Sequence, residues 1–259
     1  MDSRGISQGR TWTREETMLA FEYYCTTSKK DLDNKKNPSL MALAVALSRP
    51  PGSVYAKLQN FKSCDPSYTY DGKVGLGNAS KLDKEICNEF LRDWNALVNE
   101  TNRIKINLNL LEPAYTADTE EQETYIGGYV VREQNVRVGQ TFFRKAVLSA
   151  YNYKCCFTGI SVLELLRASH IKPWSASNDI NEKTNPQNGI LLNALHDAAF
   201  DRGLMTITTD HKILVSGKLL RESNNNQYFE RYHGQKMMLP TRFLPSREFI
   251  EHHNSRFIN

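Results

Sequence analysis

Two histidines lie at the two ends of one polar segment, and histidine is the side chain best suited to acid–base chemistry near neutral pH. His170 follows a short apolar run, and His196 lies inside the apolar run that begins after the Asn-Gly step at Asn188. An imidazole can accept a proton from water, because its unperturbed pKa is about 6.5, and it can also bind a metal ion. Two histidines one loop apart indicate little by themselves, so the elements that position them have to be considered.

The residues around the first histidine predict a strand that ends in a loop. Residues 167–171 (RASHI) favour the end of a short strand. Pro173 cannot donate to a strand ladder, and it biases Lys172 towards an extended backbone. Residues 175–187 are rich in Ser, Asn, Asp and Pro and therefore predict a loop.

Beyond this loop the pattern changes to a helical period. The apolar run from Gly189 is predicted to lead into a helix that continues to about Phe200, with His196 beside its apolar face. Gly203 is predicted to end the helix, and residues 204–216 predict a hairpin of extended residues. The sequence therefore predicts a strand, a loop and a helix, with one histidine at each end of the loop.

This arrangement resembles the HNH nuclease family, whose fold is the ββα-metal unit. The resemblance rests on His170, Asn188 and His196 within SHI, QNGILL and NALHDAAFDRGL, and the motifs are most similar to the modules of bacterial restriction endonucleases. It implies that His170 is the general base, His196 a metal ligand, and Asn188 the residue that holds the loop and orients His170. It also implies hydrolysis of a DNA phosphodiester, in which a divalent metal neutralises the charge that develops on the phosphate oxygens.

The metal site that the resemblance implies is sparse. Many members of the family carry Asp or His immediately before the general base as a second metal ligand, and Ser169 occupies that position here. Phe200 stands where some members have a ligand one turn after the helix histidine, so we expect Asp201 to contribute, with Asp197 and Asn193 as nearby alternatives. A site completed by water and by the DNA phosphate suits Mg²⁺, with Mn²⁺ as a substitute.

Composition places the chain among ordinary globular proteins, with 40% hydrophobic and 24% charged residues. A length of 259 residues is enough for two modest domains, and the net charge of +4 permits nucleic-acid binding without proving it. No apolar run approaches the roughly 20 residues of a membrane span, and the first residues are too polar for a signal peptide. We therefore expect no membrane association and a cytoplasmic location.

The five cysteines predict free thiols rather than a structural zinc site. They are scattered along the chain, and none forms a C-x-x-C pair. Cys155 and Cys156 are adjacent and are predicted to point inward and outward on a strand.

The N-terminal part predicts three helices between residues 11 and 62. Thr13 with Glu16 matches a capping box, the Asn37-Pro38 step opens the second helix, and Ser53 is predicted to cap the third.

The second and third of these helices resemble a helix-turn-helix, and the WTREE pattern is similar to Myb/SANT-like DNA-binding domains. Gln and Asn can bond paired atoms of adenine, and Lys can reach guanine or phosphate. The alternative is a three-helix bundle that packs on the nuclease or dimerises. The residues expected to contact DNA from the outward face of the third helix are Tyr55, Lys57, Gln59, Asn60 and Lys62.

The chain as a whole predicts an α+β protein in three parts. Residues 1–100 form an all-helical recognition domain, closed by one long helix after Ser80. Residues 101–138 form an acidic linker, and residues 139–259 form the nuclease domain with a basic C-terminal extension. The further DNA contacts expected from the nuclease domain are Arg144, Lys145, Lys172 and Arg202.

We expect a metal-dependent endonuclease that cuts double-stranded DNA, most simply a restriction enzyme. The sequence leaves open whether the recognised bases are methylated or otherwise modified. One module cuts one strand, so duplex cleavage implies a homodimer. The alternative is a non-catalytic DNA-binding regulator on a degenerate HNH fold, which Ser169 keeps open.

Overall fold

The computed structural model describes residues 9–66, 78–110, 130–177, 179–222 and 227–258, and for residues 130–136 it describes the backbone alone. The strands are β1 (Leu166–His170), β2 (Gly189–Asn193), β3 (Met205–Ile207) and β4 (Ile213–Val215). The helices of the N-terminal half are α1 (Arg14–Thr26), α2 (Lys29–Leu32), α3 (Pro38–Ala46), α4 (Pro51–Phe61), α5 (Lys81–Phe90) and α6 (Trp94–Asn107). The remaining helices are α7 (Val130–Ala150), α8 (Ile180–Thr184), α9 (Ala194–Asp201), α10 (Gly217–Arg221) and α11 (Arg247–Asn254).

Two small antiparallel sheets flank α9, so the fold class is α+β as predicted. Strand β1 pairs with β2, and β3 pairs with β4 in the predicted hairpin. The unit β1–loop–β2–α9 is the predicted strand–loop–helix, except that residues 189–193 form a strand before the helix begins. Helix α9 ends at Asp201, and Gly203 follows it with a φ of +67°; a Cβ there would lie 2.5 Å from the carbonyl oxygen of Arg256.

Local capping signals correctly predict several helix starts in the N-terminal half. Thr13 forms the predicted capping box of α1, Asn37 caps α3, and Ser80 forms a capping box at α5. Two predictions were wrong: the short helix α2 lies between the first and second predicted helices, and α4 begins at Pro51 rather than after Ser53. Both features depend on single residues at the turns, Ser28 and Pro51, and the spacing of apolar residues does not reveal them.

The predicted long helix after Ser80 is broken in two. Helix α5 ends at Phe90, and α6 begins at Trp94 after a cap by Asp93, whose side chain accepts from the N–H of Ala96. The apolar stripe continues through the break because Ile86, Phe90, Trp94 and Leu97 are all buried. A continuous stripe therefore did not imply a continuous helix.

The N-terminal helices and the nuclease half share buried contacts. The Trp94 ring lies 6.0 Å from the ring of Phe142 on α7 and 5.2 Å from that of Phe243. Arg242 belongs to the predicted basic C-terminal extension, but it is 3% exposed and donates to the carbonyls of Tyr24 and Thr27. Its guanidinium therefore joins the two halves and is not part of an exposed basic surface.

Two further expectations concern the linker and the paired cysteines. The five acids of the linker (Glu112, Asp118, Glu120, Glu121 and Glu123) lie outside the described residues, whereas α6 continues past the predicted boundary at residue 100. Cys155 and Cys156 lie in a turn rather than on a strand, and both are buried. Within the described ranges no helix has the length and apolar character needed to cross a membrane.

Candidate active site

The end of β1 carries His170 opposite a residue without a side chain. His170 pairs with Gly189 across the two strands. A Cβ at Gly189 would collide with Val147 and lie 3.1 Å from Cζ of Phe143, so this position requires glycine. Phe143 instead supports the imidazole, with ring centroids 3.9 Å apart and planes 4° apart. The Asn-Gly step thus lets α7 pack closely beneath the base.

The hydrogen bond at one ring nitrogen of His170 fixes its tautomer. Nε2 lies 2.9 Å from the backbone carbonyl of Lys183. A carbonyl only accepts, so Nε2 carries the proton and Nδ1 keeps its lone pair. No residue in the described ranges forms a hydrogen bond with Nδ1. Burial lowers the pKa of His170 below its usual value, and this effect outweighs the hydrogen bond with the Lys183 carbonyl, which raises the pKa. The imidazole is therefore neutral at pH 7 and able to accept a proton at Nδ1.

Asn188 holds the loop that surrounds His170. Its Oδ1 accepts from the N–H of Lys172 at 2.7 Å, and its Nδ2 donates to the carbonyls of Lys172 and Glu182, both at 3.1 Å. The Asn188 side chain is fully buried. It joins the residue that follows β1 to the far side of the loop, which is the geometry expected of a residue that holds this loop closed.

The short helix α8 presents unpaired carbonyls to this site. The last four carbonyls of a helix have no partner within it, and α8 is only five residues long. The carbonyl of Glu182 accepts from Asn188, and that of Lys183 accepts from His170. Lys183 had no sequence signal as a site residue, because its contribution comes from the backbone.

Ser169 and two aspartates of α9 form a cluster of oxygen atoms next to the base. Ser169 Oγ lies 3.4 Å from Oδ1 of Asp201, and its hydroxyl also acts to lower the pKa of Asp197. Asp197 and Asp201 are one helical turn apart and so share one face of α9. Ser169 precedes His170, so their Cα atoms are about 3.8 Å apart. Successive side chains of a strand point to opposite faces, so Ser169 faces α9 with the cluster, whereas His170 faces Phe143 of α7 at the same end of β1.

Neither carboxylate forms an ion pair within the described residues, although the charge of Arg202 acts to lower the pKa of both. Among the described residues no Lys, Arg or His lies within ion-pair distance of either. Loss of hydration raises the pKa of both groups, and the charge of Asp197 raises that of Asp201 further. Asp201 also ends α9, where the helix dipole disfavours a negative charge. A bound cation would relieve all three effects.

The donor set fits a hard divalent cation. Two carboxylates and a hydroxyl are oxygen ligands, and Mg²⁺ prefers a few carboxylate oxygens together with water. The described residues hold no group of three or more His, Cys, Asp and Glu side chains that could form a protein-only metal cage. The set is sparse, as the sequence predicted, and Asp197 is the member that the sequence offered only as an alternative.

His196 does not face this cluster. Its Nε2 lies 2.7 Å from the carbonyl of Tyr228, and its Nδ1 lies 3.1 Å from Nδ2 of Asn193, so both nitrogens are occupied. The ring is 2% exposed and contacts the rings of Phe157, Phe229 and Tyr232. The assignment of His196 as a metal ligand is therefore corrected: adjacent residues of a helix point about 100° apart, and it is Asp197 that faces β1.

Asn193, the other alternative ligand, belongs to the same buried group as His196. It caps α9 by accepting from the N–H of His196, and its Nδ2 lies near Thr158 and Cys155. Burial alone would raise the pKa of Cys155, but hydrogen bonds with His196 and Thr158 lower it to about 7. The thiol is fully buried, so this group supports the start of the helix.

Residues 155–208 match a family model described as HNH endonuclease. The match includes β1, β2, α9 and β3, and with them His170, Asn188 and the oxygen cluster. The C-terminal half carries an HNH domain. A search of the curated proteins finds none that matches the chain. The family indicates a nuclease with DNA as its substrate, and nucleases of this family generally use divalent metal ions.

The predicted DNA-reading face of α4 is mostly internal. Lys57 is 5% exposed and forms an ion pair with Asp83 at 2.5 Å, and Gln59 donates to the carbonyl of Leu32 at 2.9 Å. Lys62 is buried and paired with Asp33.

These three residues are unavailable for base recognition, so that part of the prediction was wrong. They face α2 and α5, whose packing the sequence did not reveal. Tyr55 and Asn60 remain half-buried at the surface, and Tyr55 lies 5.0 Å from the Lys35 ammonium.

The DNA contacts predicted within the HNH domain have different fates. Arg144 donates to the carbonyl of Leu166, and Lys172 forms an ion pair with Glu182 at 2.7 Å, so both brace the strand and the loop. Lys145 and Arg202 are exposed. Lys145 on α7 and Arg202, which follows α9, are therefore the members of the predicted set whose side chains reach the solvent.

Proposed function

We propose that this protein is a metal-dependent endonuclease that hydrolyses phosphodiester bonds of double-stranded DNA. The observation that carries the proposal is His170, held in the tautomer that leaves Nδ1 without a hydrogen bond among the described residues, at the same end of β1 as the oxygen cluster of Ser169. A base and a divalent cation are the two requirements for attack of water on a phosphodiester.

Each group has a defined part in the proposed reaction. His170 Nδ1 accepts the proton of the attacking water, and Asn188 keeps the loop closed around the imidazole. Asp197, Asp201 and Ser169 hold the divalent cation, proposed to be Mg²⁺. When bound, the cation neutralises the charge that develops on the phosphate and leaving oxygens. Lys145 and Arg202 bind backbone phosphates beside the site.

We further propose that the protein is a restriction enzyme that acts as a homodimer. One HNH domain has one base and one cluster, so it cuts one strand, and a two-fold pair cuts both. Recognition of particular sites or modified bases is assigned to the surface that the N-terminal helices leave exposed. That surface excludes Lys57, Gln59 and Lys62.

The test is cleavage of supercoiled plasmid, prepared with and without base methylation, in Mg²⁺, in Mn²⁺ and in EDTA. We expect cleavage that depends on the divalent ion and is lost in EDTA. The ratio of linear to nicked product at rising protein concentration reports dimer action, and the two plasmid preparations report dependence on modification. Full activity in EDTA would overturn the proposal. Binding without cleavage of any plasmid would favour a non-catalytic regulator.

A further inference from the structure

The side chain of Asn181 ties the short helix α8 to the N-terminal half. Its Oδ1 accepts from the backbone N–H of Trp94 at 2.7 Å, and its Nδ2 donates to the carbonyl of Arg92 at 2.9 Å. A primary amide offers an acceptor and a donor at once, so it satisfies both groups of that backbone segment. Asn181 is thus matched to this segment at both ends of its amide.

The segment that Asn181 binds is the break between α5 and α6. Trp94 is the first residue of α6, and N–H groups in the first turn of a helix have no partner within it. Asp93 satisfies the N–H of Ala96 and leaves that of Trp94 for Asn181. The break, which replaces the long helix that the sequence predicted, creates the attachment point.

The attachment point is fixed by its side chain. The Trp94 ring is 1% exposed and lies between Phe142 of α7 and Phe243. Close-packed aromatic residues leave the backbone little freedom to move. Asn181 therefore holds α8 against a part of the N-terminal half whose side chain, Trp94, is buried among aromatic rings.

The other end of α8 leads to the general base. The carbonyl that fixes the tautomer of His170 belongs to Lys183, two residues after Asn181 in the same five-residue helix. Phe143, which stacks on the imidazole, is the neighbour of Phe142. Both residues that support His170 are therefore connected to Trp94: Lys183 through α8, and Phe143 through α7.

We propose that Asn181 is a positioning residue for His170, which fixes α8 on the N-terminal half and so holds the Lys183 carbonyl at the imidazole. The proposal rests on the proposed function, because it concerns the alignment of the general base. The N-terminal half then helps to align the general base through its hydrogen bonds with Asn181. Both polar atoms of the Asn181 amide are hydrogen-bonded to the backbone of Arg92 and Trp94 and so are not needed for contact with DNA. Replacement of Asn181 should therefore impair catalysis and leave DNA affinity unchanged.

The test compares three variants of the full-length protein. Asn181→Ala removes both hydrogen bonds, and Asn181→Asp keeps only the acceptor for Trp94. Ser149→Ala is the matched control, since the Ser149 hydroxyl also joins the two halves, at 3.2 Å from the carbonyl of Cys25, but does not touch α8. The measurements are kcat and KM for plasmid cleavage, and hydrogen–deuterium exchange of residues 180–184 without DNA.

We expect Asn181→Ala to lower kcat roughly 10- to 100-fold, the cost of a small misplacement of a catalytic group, and to leave KM within about twofold. Asn181→Asp should fall between it and the wild type. Residues 180–184 should exchange faster in Asn181→Ala, whereas Ser149→Ala should match the wild type in kcat and in this exchange.

Two results would overturn the inference. Wild-type kcat in Asn181→Ala shows that the tether does not align the base, and an equal fall in Ser149→Ala shows only a general loosening of the two halves. A wild type that cuts no DNA in any divalent ion would overturn the proposed function instead. The exchange of residues 180–184 still decides in that case whether Asn181 holds α8, and unchanged exchange rejects the tether by itself.

Discussion

The surroundings of His170 and of His196 differ in one respect that decides their roles. Both rings lie among aromatic side chains in the HNH domain, and each donates from Nε2 to a backbone carbonyl. Nδ1 of His196 is bonded by Asn193, whereas Nδ1 of His170 has no partner among the described residues. A histidine whose two nitrogens are satisfied is a structural residue, and one with a free lone pair is able to accept a proton.

The two carboxylates of α9 extend the comparison. Asp197 and Asp201 have raised pKa values and form no ion pair within the described residues, while the polar atoms around His196 are bonded to one another. Groups with perturbed pKa values cluster at functional sites, so the two carboxylates mark a place where a ligand or reaction is expected. The following predictions test this division between the two sides of the helix.

The largest effect is expected from His170→Ala. Removal of a general base lowers kcat by about 10²- to 10⁴-fold. DNA affinity should stay within a few-fold, because it comes mainly from phosphate contacts elsewhere. Cleavage and binding are measured at one salt concentration. Equal losses in both would make His170 structural and remove the contrast with His196.

Asp197→Asn and Asp201→Asn should each change the metal requirement. Loss of a charged oxygen ligand should raise the Mg²⁺ concentration for half-maximal cleavage at least about tenfold. The measurement is a Mg²⁺ titration of plasmid cleavage. Asp210→Asn is the matched control, since Asp210 is an exposed aspartate of the same domain, hydrogen-bonded to Thr208. A control with the same shift would show that the effect is not local to the cluster.

His196→Ala should affect stability rather than metal use. It removes a buried ring from among Phe157, Phe229 and Tyr232 together with its two hydrogen bonds, which should lower the free energy of unfolding by about 2 to 4 kcal/mol in urea titrations. The folded fraction should keep the wild-type Mg²⁺ requirement. A raised requirement at unchanged stability would restore His196 as a metal ligand.

The smallest effect concerns a third histidine, His253 of α11. It is 1% exposed and stacks on Phe200, and burial lowers its pKa to about 4. Below about pH 6.5 the unfolded chain binds a proton that folded His253 does not, so stability falls as pH falls from 6.5 to 4. The contribution is at most about 1.4 kcal/mol per pH unit.

Urea unfolding at several pH values checks this prediction. His253→Gln, which cannot titrate, should show a shallower loss of stability between pH 6.5 and 4 than the wild type. His170 also has a lowered pKa, so it contributes to the loss of stability with falling pH in both proteins. Identical slopes would show that His253 is protonated in the folded state.

The sequence by itself determined the features that depend on residues close together in the chain. The capping boxes at Thr13 and Ser80 and the β3–β4 hairpin follow from local hydrogen bonding and side-chain period. The strand ending at His170 and the Asn-Gly step are equally local, which is why the HNH motif was recognisable. Asp201 was a candidate ligand for the same reason, because it is the last residue of α9, the helix that carries the HNH motif's second histidine.

Only the tertiary structure decided which polar side chains are satisfied. Lys57 and Asp83 are 26 positions apart, and Asn181 meets Trp94 from 87 positions away. A helical period predicts which face is apolar, but it does not say which element covers the remaining faces. The burial of the α4 face, the occupied nitrogens of His196 and the tether at Asn181 depend on such distant contacts, so no local pattern could have predicted them.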